Sequence, residues 1–253
     1  MPVAAPQPRG RKQTMNRSDQ DLARQLAKVT PATATHLLEQ KGISNTYMAG
    51  LQAVVPVSGV VVGRARTLRQ IPMREDVHKA MVAAGSNPQR LVSDNISEGD
   101  FLVIDSGGEV TAGSIGDIIS ARIKAQGGVG VISDGGLRDG VQIRELVGLP
   151  CFVKGIHGAA SQRSFMAIDY DQPVRCCGTS VFPGDWILAD GDGAVVIPPS
   201  LAAEIAAEGS AIEHKETFIR ERVLEHGYPL SEAYPPNEKT LAEYEQWKRA
   251  NPQ

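Results

Sequence analysis

The sequence predicts an α/β fold in which helices open the chain, strands fill its centre and one long helix follows. Three observations carry this. Apolar residues recur at helical spacing near both ends, short apolar runs bounded by Gly, Asp or Pro fill the middle, and few helical stretches separate those runs. A doubly wound Rossmann sheet is disfavoured, because a regular βαβ repeat needs a helix after nearly every strand. At 253 residues the chain fits one compact domain, or one domain with appendages.

In chain order, residues 1–17 carry three prolines and no acidic group and read as a disordered extension. From Ser18, the residues Leu22, Leu26 and Val29 keep helical spacing behind a Ser18/Asp19 cap, and a second helix covers about Pro31 to Gln40. The Val-rich stretch from Val54 to Leu68, VVPVSGVVVGRARTL, reads as tightly joined strands. Further strands are expected at Phe101–Ile104, Val129–Ile132, Cys151–Val153, Phe165–Ile168, Trp186–Leu188 and Ala194–Ile197. Only Asp117–Gln126 and the shorter Val141–Leu146 look helical between them. LADGDGAVVIP reads as a hairpin whose turn uses Asp190 and Asp192. Ser200 is expected to cap a helix that runs to about Glu225, is interrupted by Gly209 and stops at Gly227. The main domain is thus 18–227. In the tail, 228–253, Leu241, Tyr244 and Trp247 fall on one helical stripe that needs a surface to cover, on this subunit or a neighbour.

Composition removes whole classes of function. With 26 Lys+Arg against 29 Asp+Glu and 42% hydrophobic residues, the chain is neither low-complexity disorder nor basic enough for general nucleic-acid binding. The three cysteines, Cys151, Cys176 and Cys177, are odd in number and two are adjacent, so they read as packing thiols in a reducing compartment. No apolar run approaches the roughly 20 residues of a membrane span, and no apolar segment follows the basic N-terminus as in a secretory signal. A cytoplasmic protein is the expectation.

Chemistry concentrates between Asp105 and Asp139. Gly113-Ser114-Ile115-Gly116-Asp117-Ile118-Ile119 leads into a helix, whose first turn offers unpaired N–H groups and a positive dipole end to a carboxylate or phosphate. The plain alternative is a glycine turn with Asp117 placed for the dipole alone. The segment lacks the P-loop lysine and the GxGxxG spacing. After the strand VGVI comes Ser133-Asp134-Gly135-Gly136-Leu137-Arg138-Asp139-Gly140, which puts a cation and a carboxylate on one rim. Arg recognises carboxylates and enolates bidentately, and Asp offers a hard oxygen to Mg²⁺ or Mn²⁺, although the pair is equally a local salt bridge. His36, His78, His157, His214 and His226 lack zinc-site spacing. Ser106 and Ser133 lack a nucleophile elbow. Glu213 to Glu216 read as a solvated face with a carboxylate within reach of a neighbouring subunit.

Together, GSIGDII, GGLRD about twenty residues later, VFPGD and DGDGAVVIPP resemble the RraA-like family over about Pro31 to Glu225. That family includes class II 4-hydroxy-4-methyl-2-oxoglutarate/4-carboxy-4-hydroxy-2-oxoadipate aldolases and the regulator of ribonuclease E activity. The resemblance implies a layered α/β fold of the swivelling-domain type, trimeric or hexameric, with active sites between subunits. It implies a divalent metal, Mg²⁺ or Mn²⁺, on Asp139. It also implies Arg138 contacting the substrate and stabilising an enolate, and the backbone of Gly116, Asp117, Ile118 and Ile119 receiving the substrate carboxylate. Asp117 is placed to hold a metal-bound water or to relay a proton. One departure is Gln142, where family members often carry an acidic residue.

The expected function is therefore a metal-dependent lyase that cleaves a 2-oxo acid and releases pyruvate, with oxaloacetate decarboxylation as a side activity. The alternatives are a hydrolase of 2,4-dioxo acids acting through the same site and a non-enzymatic regulator of an RNA-decay enzyme. The expected partners are a small-molecule 2-oxo acid and further copies of the chain, with no nucleic acid and no membrane.

Overall fold

The computed structural model describes residues 15–252. The extension expected at the N-terminus falls mostly on 1–14, outside the described residues. The chain then runs α1 (Arg17–Leu26), α2 (Pro31–Gln40), β1 (Tyr47–Met48), β2 (Gln52–Ala53), β3 (Val61–Pro72), α3 (Glu75–Ala83), α4 (Pro88–Asp94), β4 (Asp100–Asp105), β5 (Gly113–Ile115), α5 (Asp117–Ala125), β6 (Gly130–Leu137) and α6 (Gly140–Gln142). A π turn (Ile143–Val147), β7 (Cys151–Ile156), a 3-10 turn (Ser161–Arg163), β8 (Phe165–Tyr170), β9 (Val174–Cys176), β10 (Thr179–Val181), β11 (Trp186–Ala189) and β12 (Ala194–Ile197) follow. The chain closes with α7 (Ala202–His226), α8 (Leu230–Ala233) and α9 (Glu238–Ala250).

The sheet is mixed, in the order β1-β12-β11-β3-β4-β6-β7-β2, with β5 added to β6 and β8 to β3. Its centre, β3-β4-β6-β7, is parallel, and its flanks are antiparallel. Parallel strands covered on both faces read as continuous apolar runs, and all eight residues of β6 are buried. Alternate residues face two cores. Leu102, Ile104 and Val131 pack with Val92 and Ile123, while Phe101, Val103 and Ile132 pack with Cys176, Val181 and Ile187. A third cluster seats α1, α2 and α7 on the antiparallel flank, where Leu26, Val29 and Leu38 meet Trp186, Leu188 and Ile205.

Local chemistry explains most boundaries and corrects several expectations. Asn16, not Ser18/Asp19, caps α1, its Oδ1 accepting from the Asp19 N–H at 2.9 Å. α2 begins at Pro31, as the sequence implies, and Thr30 caps it. The Val-rich stretch is one long strand preceded by a loop. Pro56 has no N–H to give a ladder and Gly59 sits at φ +87°, so β3 begins only at Val61. Two helices absent from the sequence reading, α3 and α4, follow β3. At the start of α4 the Asn87 side chain accepts from the N–H groups of Gln89 and Arg90. The Val141–Leu146 stretch is one α turn passing into the π turn.

Gly209 does not interrupt α7. A Cβ there would lie 2.5 Å from Val29 Cγ1, so the glycine lets the α1–α2 corner press against the helix. Ser200 is not its cap: Leu201 occupies that position without a side-chain hydrogen bond. Gly227 ends the helix in the left-handed conformation, as expected. The expected solvated face is also engaged, because Glu213 Oε1 accepts from Thr30 N, Thr30 Oγ1 and Thr33 Oγ1. His214 bonds the Tyr244 hydroxyl and the Asn251 carbonyl.

The tail folds back on α7 of its own chain. Tyr244 and Trp247 cover Phe218 and Ile219, while Leu241, the third member of the stripe, stays 40% exposed. Among the described residues no helix is long and apolar enough to cross a membrane.

Candidate active site

The two sequence motifs meet because β5 pairs in parallel with the end of β6. Gly113 makes that approach possible: a Cβ at this position would fall 2.6 Å from Arg138 Cβ. The backbone then locks the corner, with Arg138 N–H donating to the Ile115 carbonyl and Gly113 N–H to the Ala159 carbonyl, both at 2.9 Å. The second bond carries in the 3-10 turn. The result is a cavity of about 220 Å³ walled by Gly113–Ile119, Arg138, Asp139, Gln89 and the Ala160–Gln162 segment.

On one wall stands the N-terminus of α5, entered through Gly116 in extended geometry. Its Ile118 N–H is taken by the Oδ1 of Asp117 at 2.8 Å, so an incoming anion must share or displace that carboxylate there. The N–H groups of Asp117 and Ile119 make no hydrogen bond among the described residues.

Opposite stand Arg138 and Asp139. Arg138 Nε donates to Asp139 Oδ2 at 2.9 Å, with the two side chains 42% and 27% exposed. The two terminal nitrogens of Arg138 have no partner among the described residues, which leaves a planar fork available to an anion. Asp139 adopts φ 60°, ψ 36°, and a Cβ on Gly116 would lie 2.9 Å from its Oδ2. The carboxylate therefore reaches across to the α5 entry.

The donor set bears on the metal. Among the described residues Asp139 and Asp117 are the carboxylates of this cavity, and its walls hold no His or Cys. A hard cation that keeps most of its waters and takes one or two carboxylates fits that set, whereas a tetrahedral zinc site does not. Among the described residues a three-ligand grouping occurs elsewhere, at the half-buried Glu221 and the exposed Glu225 and His226. The sequence reading of scattered histidines did not bring it out.

Behind the cavity lies a buried polar layer. Ser114 Oγ donates to Gly136 O and pairs with the Ser133 hydroxyl, which donates to it, each at 2.8 Å, and the Ser114 carbonyl accepts from Gln70 Nε2 at 3.2 Å and Gln89 Nε2 at 2.8 Å. Ser106 Oγ in turn donates to Gln70 Oε1 at 2.8 Å. Ser106 and Ser133 thus hold structure rather than act as nucleophiles. On the other face of β6, the buried Asp134 accepts from Ser106 N–H at 2.6 Å, and burial pushes its carboxyl above the ordinary range.

All the residues singled out in the two motifs, Gly116, Asp117, Ile118, Ile119, Arg138 and Asp139, line one cavity. Gln89, Ser161 and Gln162 were not foreseen. The Asn87-Pro88 pair signals a helix start and could have drawn attention to Gln89, whereas the 3-10 turn arrives only through tertiary pairing.

Comparison with known proteins agrees with the motifs. Residues 18–196 match the family described as RraA-like, Aldolase/RraA. A Halalkalibacterium halodurans protein provisionally named 4-hydroxy-4-methyl-2-oxoglutarate aldolase is 30% identical over 175 residues, 69% of this chain and 76% of the relative. The 4-hydroxy-4-methyl-2-oxoglutarate aldolase of Thermus thermophilus is 28% identical over 137 residues, 54% of this chain and 74% of the relative. Among solved structures, Streptomyces coelicolor RraAS2, described as an unusual member of the RNase ES inhibitor RraA protein family, superposes with a TM-score of 0.71. It is 37% identical and covers 82% of this chain and 99% of its own.

Proposed function

Because the chain belongs to the RraA-like family, we propose that it is a divalent-metal-dependent lyase cleaving a 2-oxo acid to release pyruvate, with oxaloacetate decarboxylation as a side activity. The observation that carries this reading is the cavity in which the α5 N-terminus, the free fork of Arg138 and the carboxylate of Asp139 face one another. The aldolase names of relatives with similar sequences support it.

In this reading the N–H groups of the first turn of α5 bind the substrate carboxylate. Arg138 sits where negative charge grows on the 2-oxo oxygen as the C3–C4 bond breaks and its electron pair moves into the enolate. Asp117 holds a proton in transit: the C4 hydroxyl loses one as the bond breaks, and C3 gains one to complete pyruvate. A divalent cation, Mg²⁺ or Mn²⁺, held on Asp139 supplies Lewis-acid polarisation of the 2-oxo group. Residues 18–227 form the catalytic unit, and the tail packs on the same subunit through Tyr244 and Trp247.

The unit works as a homo-oligomer, trimer or hexamer. Exposed apolar side chains, Ile118 at the cavity rim at 76%, Val141, Leu146 and Ile156, support that state, since covering each gains about 1.5–3 kcal/mol. Sedimentation should give a species well above 27.0 kDa, and a monomer at micromolar concentration refutes this part.

The likeness to RraAS2 favours one second reading, a regulator that binds an RNA-decay enzyme. A panel of 4-hydroxy-2-oxo acids, 2,4-dioxo acids and oxaloacetate, assayed with and without Mg²⁺, separates the possibilities. The lyase releases pyruvate with a carbonyl partner, and a hydrolase of 2,4-dioxo acids releases it with a carboxylic acid. No turnover of any member moves the regulator reading to the front.

A further inference from the structure

Two glutamines donate to one carbonyl behind the cavity, but their amide oxygens have different fates. Both Gln70 and Gln89 point Nε2 at the carbonyl oxygen of Ser114, at 3.2 Å and 2.8 Å. A carbonyl only accepts, so each amide is fixed with its nitrogen inward. The Oε1 of Gln70 is then filled by Ser106 Oγ at 2.8 Å. The Oε1 of Gln89 has no hydrogen-bond partner among the described residues, although the residue is only 8% exposed. Of the two, Gln89 is the one that lines the cavity.

We infer that Gln89 is a specificity-determining residue: its amide oxygen accepts a hydrogen bond from a hydroxyl group of the ligand on binding, before that proton passes to Asp117 as the bond breaks, so the site favours hydroxylated 2-oxo acids over otherwise identical acids that lack the hydroxyl. This rests on the 2-oxo acid reading above. The rest of the cavity supplies the contrast. The α5 N-terminus and the Arg138 fork donate and so select anions, while Asp117 and Asp139 are already turned to Ile118 N–H and Arg138 Nε. Gln89 adds a neutral acceptor with a set direction, which matches a neutral donor. A ligand without that donor expels water from Gln89 Oε1 and leaves it unpaired, and sites built to pair a ligand hydroxyl reject its deoxy analogue on that account.

The test uses the full chain with Mg²⁺ and two acids that differ by one hydroxyl, 4-hydroxy-2-oxoglutarate and 2-oxoglutarate. Each competes against oxaloacetate decarboxylation, or is titrated by thermal shift if no decarboxylation occurs. In the unmodified protein the hydroxylated acid should bind about tenfold more tightly, the worth of one net hydrogen bond. Gln89→Met should bring that ratio to within about twofold, while Gln70→Met, which loosens the same Ser114 carbonyl, should leave it near tenfold. Equal binding of the two acids by the unmodified protein overturns the inference without any variant. So does an equal loss of the ratio in both variants, which would make Gln89 a support for the β5 backbone. Turnover reports separately on the lyase reading: a tenfold ratio without turnover retains Gln89 and removes the lyase, turnover without a ratio does the reverse, and binding of neither acid removes both.

Discussion

Arg138 donates through Nε to Oδ2 of Asp139, its immediate neighbour in sequence, at 2.9 Å. Successive residues of a strand point to opposite faces, so this contact requires a break in the alternation. The break is at Asp139, whose left-handed backbone turns the carboxylate back to the side that Arg138 occupies. Asp tolerates that conformation better than most residues, which gives the Leu-Arg-Asp-Gly run at the end of β6 its physical sense. One turn puts a cation and a hard anion on the same wall of the cavity.

Asp139→Asn is therefore the clean test of the metal. Asn also accepts the left-handed conformation, so the fold and the cavity should survive with a thermal midpoint within about 2 °C of the parent, whereas Ala would add backbone strain of about 1–2 kcal/mol. Turnover should fall by about 100-fold or more, and the stimulation by Mg²⁺ should disappear. Retained Mg²⁺ dependence in Asp139→Asn places the cation elsewhere.

Gly116→Ala should act on the site and not on stability. Gly116 has φ −124°, which any residue adopts, so the added methyl brings no backbone strain. It meets Asp139 Oδ2 at 2.9 Å, the far end of a side chain that can swing aside at the expense of its bond to Arg138. The expected result is an unchanged melting curve with a fall of about tenfold in kcat/KM and weaker activation by the metal, because a displacement near 1 Å at a catalytic group costs that much or more. An unchanged kcat/KM means that the Asp139 carboxylate does not need its present position.

How much of this was legible follows the range of the interactions. The limits of α2 were readable because Thr30 and Pro31 set its start locally, and β12 was readable because its four residues are apolar and flanked by a turn and a proline. The Arg138–Asp139 pair and the α5 entry were readable for the same reason. Glu213 was misread as solvated because its partners, Thr30 and Thr33, lie some 180 residues away. α4 was missed because it buries Gln89 and Ser93 beside Val92, a polar-rich inner face that periodicity of apolar residues does not register. Gln89 was lost from the site along with the helix that carries it.

Asp134 should give the protein an acid-side stability slope. Its carboxyl is pushed above the ordinary 3.8, first by burial and also by the charge of Asp105, against the opposing pull of the Ser106 N–H, and its Oδ2 is buried with no hydrogen-bond partner among the described residues. The folded state thus holds the proton to higher pH than the unfolded chain. Its contribution is fully present below the unfolded value and is lost as pH rises through the folded one. Asp134→Asn should make the fall in unfolding free energy across that window shallower, as read by urea denaturation at a series of pH values. Asp100 and Asp185, raised in the same direction by burial, keep part of the slope. An identical slope in the variant contradicts the assignment.

Arg66 carries the largest single stability prediction. On β3, it bonds Asp171 through Nε and Nη2 at 2.7 Å each, and through Nη1 reaches the Asn95 carbonyl at 2.8 Å and Asp100 Oδ2 at 3.3 Å. Its side chain is 18% exposed and both carboxylates are 13% exposed. Arg66→Met keeps the stem but leaves Asp100 and Asp171 facing each other without a cation. Removing one partner of such a buried arrangement costs about 3–5 kcal/mol, or roughly 6–20 °C of melting temperature in a domain of this size. Arg66→Lys should recover only part, since an ammonium cannot match the two-pronged contact with Asp171. The loss has a distinctive pH dependence. Asp100 already resists ionisation, through burial first and the nearby Asp171 charge as well, so protonating Asp100 at low pH removes one of the two stranded charges and should narrow the gap between variant and parent. Adding Asp171→Asn to Arg66→Met should do the same at neutral pH. A gap that is constant from pH 4 to pH 8, and unmoved by the second substitution, would mean that lost packing and not stranded charge sets the cost.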